Sequence, residues 1–197
     1  MFRTPVVRTL LGWLSSFGLW AFRWRTVVRL PDGPKYVIVL APHTSYWDFP
    51  ILVGAALKHG VECSWLATAN LFRGPARWLF RWLGGIPVDR SRRNGLVDAV
   101  TEAFYEADRL AVAIAPEGSR HPRDRWKTGF YRIAVAAEVP FGLAFVDFAT
   151  RTVGIDEPFS PTGDLEADLR RIEAFYAPKR GRHPDWYTPP LGRGEPG

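Results

Sequence analysis

The chain has 197 residues, 47% hydrophobic and 23% charged, which suits one globular domain with a sizeable core and excludes both a disordered chain and two ordinary domains. A formal net charge of +6 favours anionic partners: phospholipid head groups, nucleic acid or phosphorylated small molecules. A lone cysteine, Cys63, excludes an internal disulfide framework and suits a small buried hydrophobe in a strand.

From Arg8 to Arg25 the chain runs RTLLGWLSSFGLWAFRWR. It lacks the small-residue cleavage site of a secretory leader, and Leu10–Phe22 falls short of the ~20 apolar residues that span a bilayer. At helical spacing Arg8, Gly12, Ser15, Ser16 and Arg23 form a polar sector interrupted only by Leu19, while Trp13, Phe17, Trp20 and Trp24 lie in the apolar remainder. An amphipathic helix of this kind, within residues 1–30, lies in the head-group layer of a membrane with its apolar face down. The alternative is a helix packed on its own domain, apolar face inward. Nine Trp in the chain serve either reading, since Trp favours both membrane boundaries and cores.

Lys35–Ala41, KYVIVLA, is a nearly continuous apolar run and predicts a buried strand. Phe49–His59 reads as a helix closed by Gly60, and Glu62–Thr68 as a second strand. Pro75 opens and Gly84-Gly85 close a helix over Arg77–Leu83, whose Arg73, Arg77 and Arg81 row suits lipid phosphates or a solvated face. An amphipathic helix follows over Arg93–Asp108, then a third clear strand, Leu110–Ala115. Gly129–Glu138 is helical, Phe141–Phe148 and Arg151–Ile155 form a strand pair, and Asp164–Tyr176 is the last helix. Strands alternating with helices predict a single α/β domain over residues 31–177, with a central, mostly buried mixed sheet flanked by helices. Residues 178–197, with five Pro and four Gly, predict a flexible tail.

Two short stretches carry groups able to do chemistry. In PHTSYWD, Pro50 is tolerated only in a first helical turn, so a helix starts near Asp48 and leaves His43 on the loop before it. That turn can bring the carboxylate onto the imidazole, orienting it and making it more basic as a general base requires. A helix cap and a polar loop residue would look the same. Ala115-Pro116-Glu117-Gly118-Ser119-Arg120 follows the third strand, and ligands in α/β sheets gather at the carboxyl ends of strands. A carboxylate, a flexible glycine and a fork-shaped guanidinium there suit an anionic ligand, or a plain turn. No G-x-S-x-G elbow is present for a serine nucleophile at Ser45 or Ser119. The four His, at 43, 59, 121 and 183, show no metal-ligand spacing, and no nucleic-acid motif is present.

Taken together and in order, HTSYWD, GGIPVDR, APEGSR and VPFGLAF resemble the lysophosphatidate/glycerol-phosphate acyltransferase family, over roughly residues 35–150. Trp126-Lys127-Thr128-Gly129 adds to the likeness. Pro42 stands where Asn often precedes the His, and Ser119 where Thr often follows the Gly, which marks a short, divergent branch. The resemblance implies transfer of a fatty acyl group from an acyl thioester, on CoA or an acyl carrier protein, to a lysophospholipid hydroxyl, without a covalent acyl-enzyme. It implies His43 as general base oriented by Asp48, with Glu117 shaping the site. Arg90, Arg120 and Lys127 would hold the acceptor phosphate beside Gly118 and Ser119, backbone N–H groups near Gly118 would meet the oxyanion, and Val139 and Pro140 would line an acyl channel or else belong to the core. No cofactor or metal is implied. The expected partners are the two substrates and a membrane surface, on the inner face of the cell membrane. An acyl-thioester hydrolase and a non-catalytic membrane-lipid-binding module are the rival functions.

Overall fold

The computed structural model describes residues 5–88 and 95–192. Strands β1 (Arg25–Val28), β2 (Lys35–Leu40), β3 (Ser64–Thr68), β4 (Gly85–Val88), β5 (Leu110–Ile114), β6 (Phe141–Asp147) and β7 (Thr152–Phe159) form one sheet in the order β1-β7-β6-β2-β5-β3-β4. All neighbours run parallel except β6 and β7, which pair antiparallel. The mixed sheet is therefore the one expected. Strand β1 is an addition: its four residues are too few to show a period, and they are only half-buried. It approaches β7 so closely that a Cβ on Gly154 would lie 1.8 Å from the carbonyl oxygen of Val27.

β2 explains why the sheet is covered on both sides. Val37 and Val39 pack into a core with Phe104, Phe130, Ile133 and Ile172, contributed by helices α4 (Gly95–Glu106), α5 (Gly129–Ala136) and α6 (Leu165–Tyr176). Tyr36 and Ile38 point to the opposite face, with Ala111, Ala144 and Ile155. Successive side chains alternate across a strand, so a run apolar at every position demands partners on both faces. Tyr176 of α6 ties the centre together: its buried hydroxyl donates toward Val39 O at 2.7 Å and lies 3.1 Å from Ala144 O.

The second face is roofed by α1 (Pro5–Ala21) and α2 (Asp48–His59), with Leu19 and Ala55 packed against Val146 and Val153. The short helix α3 (Arg77–Trp82) leads into β4. The orientation of α1 is the reverse of a helix that buries its apolar face in its own domain. Gly12, Ser15 and Leu19 turn toward α2: a Cβ on Gly12 would sit 3.3 Å from Leu57 O, and one on Gly54 would sit 3.9 Å from Ser15 Cβ. Leu19, the apolar interruption in the polar sector, is 6% exposed, whereas Trp13 is 77% and Trp20 72% exposed.

The carboxyl-terminal stretch also differs from expectation. Residues 178–192 lie against the domain: Phe148 N–H donates to Arg180 O at 2.9 Å, and Thr188 is fully buried. Their Pro and Gly shape an extended path that side-chain and backbone hydrogen bonds hold in place.

Leu19→Ala is expected to destabilise the fold by about 2–4 kcal/mol, because it empties a packed site. Trp13→Ala, on the open face, is expected to stay within about 0.5 kcal/mol. Urea unfolding of the two variants measures the difference, and equal losses would contradict this assignment of faces.

Candidate active site

The register of β2 and β5 pairs Val39 with Ile114, so the loops leaving their carboxyl ends emerge side by side. One carries His43 and the other Glu117. The Ala41–Pro42 peptide bond between β2 and the first loop is cis. The loop ends where α2 begins, at Asp48, with Pro50 inside the first turn where its missing N–H costs nothing.

Asp48 is fully buried, and its Oδ2 accepts the Ser45 N–H at 2.9 Å. The same oxygen lies 3.2 Å from His43 Nδ1. This contact is within ion-pair reach but falls short of hydrogen-bond alignment, and Asp48 Oδ1 has no hydrogen-bond partner among the described residues. The two side chains are thus close, with the carboxylate shut away from water. His43 itself lines a cavity shared with Tyr46, Gly118, Arg120 and Lys127.

Glu117 is 1% exposed. Its Oε1 accepts the backbone N–H of His43 at 2.6 Å, and its Oε2 accepts that of Thr188 at 3.4 Å. Burial pushes its carboxyl up to about 7; the two N–H groups work against that rise and the nearby Asp48 carboxylate adds to it. Gly118 closes the turn, with its N–H donated to Ala115 O at 3.1 Å and φ at +68°. That N–H is occupied by the turn itself. A side chain at 118 would also meet Lys127, whose Cε would lie 3.2 Å from the added Cβ. The Arg120 guanidinium stacks over the Tyr46 ring with its carbon 3.9 Å from the centroid, and its buried Nε has no partner among the described residues. A buried donor left unmatched costs about 1–3 kcal/mol, so an oxygen-rich ligand would be stabilised beside it.

Residues 25–142 match the family described as Acyltransferase. The chain belongs to that family. Over 113 residues it is 29% identical to the 1-acyl-sn-glycerol-3-phosphate acyltransferase of Streptococcus pneumoniae (strain ATCC BAA-255 / R6), a stretch covering 56% of this chain and 41% of that protein. The chain thus matches less than half of that relative's length. The crystal structure of the 1-acyl-sn-glycerophosphate (LPA) acyltransferase PlsC from Thermotoga maritima shares the fold, with a TM-score of 0.59 at 20% identity, covering 87% of this chain and 78% of that one.

In this acyltransferase-family chain the expected residues divide into those gathered at one site and those placed elsewhere. His43, Asp48, Glu117, Gly118, Ser119, Arg120 and Lys127 meet at the ends of β2 and β5. Ser119 lines the cavity, and its hydroxyl donates to His121 O at 2.8 Å while accepting from Arg123 Nε at 3.2 Å. Arg90 lies outside the described residues. Val139 and Pro140 stand apart: Val37 N–H donates to Pro140 O, which fixes them at the beginning of β2, the opposite end of the sheet from His43. Val139 is packed in the α4–α6 core. On the α2 face, Leu40, Phe49 and Leu52 line the cavity that also holds His43. Burial pushes the Cys63 thiol up to about 11, which suits a packing residue and not a nucleophile. Among the described residues no three His, Cys, Asp or Glu side chains cluster to hold a metal ion.

Sequence reasoning missed Thr44, Gly181 and Thr188. The aromatic pair Trp186-Tyr187 within a Pro/Gly-rich stretch was the available signal, since a mobile tail seldom carries such residues.

The raised Glu117 carboxyl sets a stability window. The folded state holds the proton up to about pH 7, whereas the unfolded chain releases it near the ordinary 4.5. The folded state therefore binds more protons in between, and stability falls as pH rises through this range, by about 3 kcal/mol if the full difference is realised. Urea titrations at about pH 5 and about pH 8 should show that decline in the wild type and a flatter dependence in Glu117→Gln.

Proposed function

We propose that the chain moves a fatty acyl group from an acyl thioester, on CoA or an acyl carrier protein, to a hydroxyl of a lysophospholipid such as 1-acylglycerol-3-phosphate. The observation that carries this is the placement of His43, 3.2 Å from a fully buried Asp48, on a cavity with a cationic rim and an apolar wall. The relatives named 1-acylglycerol-phosphate acyltransferases support the same acceptor class.

With Nδ1 turned to Asp48, Nε2 is the ring nitrogen left for substrate. It takes the proton of the acceptor hydroxyl as the oxygen attacks the thioester carbonyl. When the tetrahedral intermediate collapses, the C–S bond breaks and the departing sulfur takes the proton from His43, giving an ester and a free thiol. Asp48 stabilises the transient imidazolium. Arg120, with its unmatched Nε, and Lys127 hold the acceptor phosphate, with Arg90 as a third cation. The apolar wall under α2 takes the acyl chain. The exposed Trp13, Phe17 and Trp20 face of α1 docks the enzyme in the head-group layer where both lipids reside. No helix among the described residues is long and apolar enough to cross a membrane.

The deciding experiment is thiol release from palmitoyl-CoA by purified protein, with and without lysophosphatidate. Acceptor-dependent release that falls about 10²–10⁴-fold in His43→Ala is expected. Acceptor-independent release would replace the transferase with a thioester hydrolase, and full function in the variant would indicate a binding module.

Replacing Trp13, Phe17 and Trp20 together by Ser should abolish sedimentation with anionic vesicles while leaving the thermal midpoint almost unchanged, since all three are exposed. Unchanged sedimentation would rule out docking through this face.

A further inference from the structure

The stretch from Lys179 to Gly192 lies beyond the residues that match the family, yet it touches both loops of the site. It is anchored first at the end of β6, where buried Asp147 accepts the Arg180 N–H at 3.2 Å through Oδ1 and Phe148 N–H donates to Arg180 O. Gly181 then presses on the His43 loop: a Cβ there would lie 2.5 Å from Thr44 Oγ1 and 3.2 Å from Pro42 Cβ. The next contact is the His183 N–H, donated to the same Thr44 hydroxyl at 3.2 Å. Trp186 stacks on His183, with ring centroids 4.4 Å apart, and lies 4.9 Å from the His121 ring of the second loop. Thr188 completes the span. Its hydroxyl accepts the Arg123 N–H at 2.9 Å, its carbonyl accepts the Trp126 indole N–H, and its own N–H reaches Glu117 Oε2. Glu117 Oε1 holds the His43 N–H, so one carboxylate joins the strap to the residue bearing the base.

We propose that Lys179–Gly192 is a positioning strap for the general base, acting through Glu117 and Thr44, with Thr188 and Gly181 as its positioning residues. This rests on the acyl-transfer function proposed above. Neither residue reaches the reacting atoms. Each fixes a backbone segment from which His43 projects, and displacements near 1 Å at such a group cost up to about 10²-fold in rate. The groups facing Glu117 are His43 and Asp48 from the first loop and α2, Tyr176 from α6 and Tyr187 from the strap. Of the contacts on Glu117, the Thr188 N–H lowers its carboxyl, so a loosened strap raises it further.

The test uses the full-length chain with Thr188→Val, which keeps the shape and removes the hydroxyl that anchors Arg123, and Thr188→Ser, which restores it. Expected for T188V are a fall in kcat of about tenfold or more with the KM for palmitoyl-CoA little changed, an acid limb moved to higher pH, faster hydrogen exchange at the His43 amide, and recovery in T188S. Gly181→Ala, which crowds Thr44, is the second variant should T188V not fold, with the same fall in kcat and faster exchange expected. A lower thermal midpoint with wild-type kcat, acid limb and His43 exchange would overturn the strap and leave these residues merely structural. If the wild type transfers no acyl group, the functional proposal fails, and amide exchange at His43 alone decides the strap.

Discussion

A carboxylate shut away from water must have its charge met by hydrogen bonds or be protonated. Glu117 sits at that balance point, 1% exposed and pushed up to about 7, with two backbone N–H groups as its acceptor contacts. Those two donors belong to segments far apart in sequence, the loop bearing His43 and the stretch bearing Thr188. Each stabilises the ionised form, and the ionised form in turn fixes each segment. Remove either donor and the carboxyl drifts toward its neutral state, whose hydroxyl oxygen is a poor acceptor for the other. The site geometry is therefore cooperative: the position of the imidazole depends on a residue buried behind the loop that carries it.

Asp48 works under a different constraint. It is equally buried, but it opens α2, so its place is fixed by the start of a helix. The Ser45 N–H takes Oδ2 from the loop side. Its contact with His43 is therefore set by where α2 begins and not by a formal hydrogen bond between them. The two acids thus divide the work by environment. One, at a helix start, lies against the imidazole ring; the other, in a buried turn, holds the backbone that carries it.

How much of this was legible depends on whether the information is local. Pro50 two residues after Asp48, and an apolar run ending at Ala41, place His43 on a loop and Asp48 at a helix start from the sequence alone, and the structure agrees. The pairing of β2 with β5 is not local, so the meeting of His43 with Glu117 was reached through a family likeness and not through spacing. Val139 and Pro140 show the same limit from the other side. An apolar start to a strand says that it is buried but not which end of the sheet it occupies, and here it is the end away from the site. The strap was hidden because Pro and Gly signal irregular backbone, which is true of it, and irregular was equated with mobile. Irregular backbone becomes fixed when something else satisfies its polar groups. Asp147, Thr44, Glu117 and the Trp126 indole N–H do so.

Helix α1 carries the same lesson to the surface. Its composition permitted two arrangements, apolar face outward or apolar face on the domain, and the outward one is set by close approach, not by hydrophobicity. Gly12 and Gly54 let α1 and α2 come together along a seam of small residues, and Leu19, the odd apolar residue in the polar sector, fills the contact with Val146 and Val153. Burying Trp13, Phe17 and Trp20 against α2 instead would force those backbones apart and strand the serines without benefit. Once the small face is committed to the domain, the large aromatics have nowhere to go but outward, and an exposed apolar stripe of that kind calls for a partner that is itself apolar. The α2 helix beneath it is also a wall of the cavity holding His43. Whatever lies against α1 is therefore one helix away from the apolar lining of the site, which is the arrangement required if a lipid is to pass from a membrane surface to the base without crossing water.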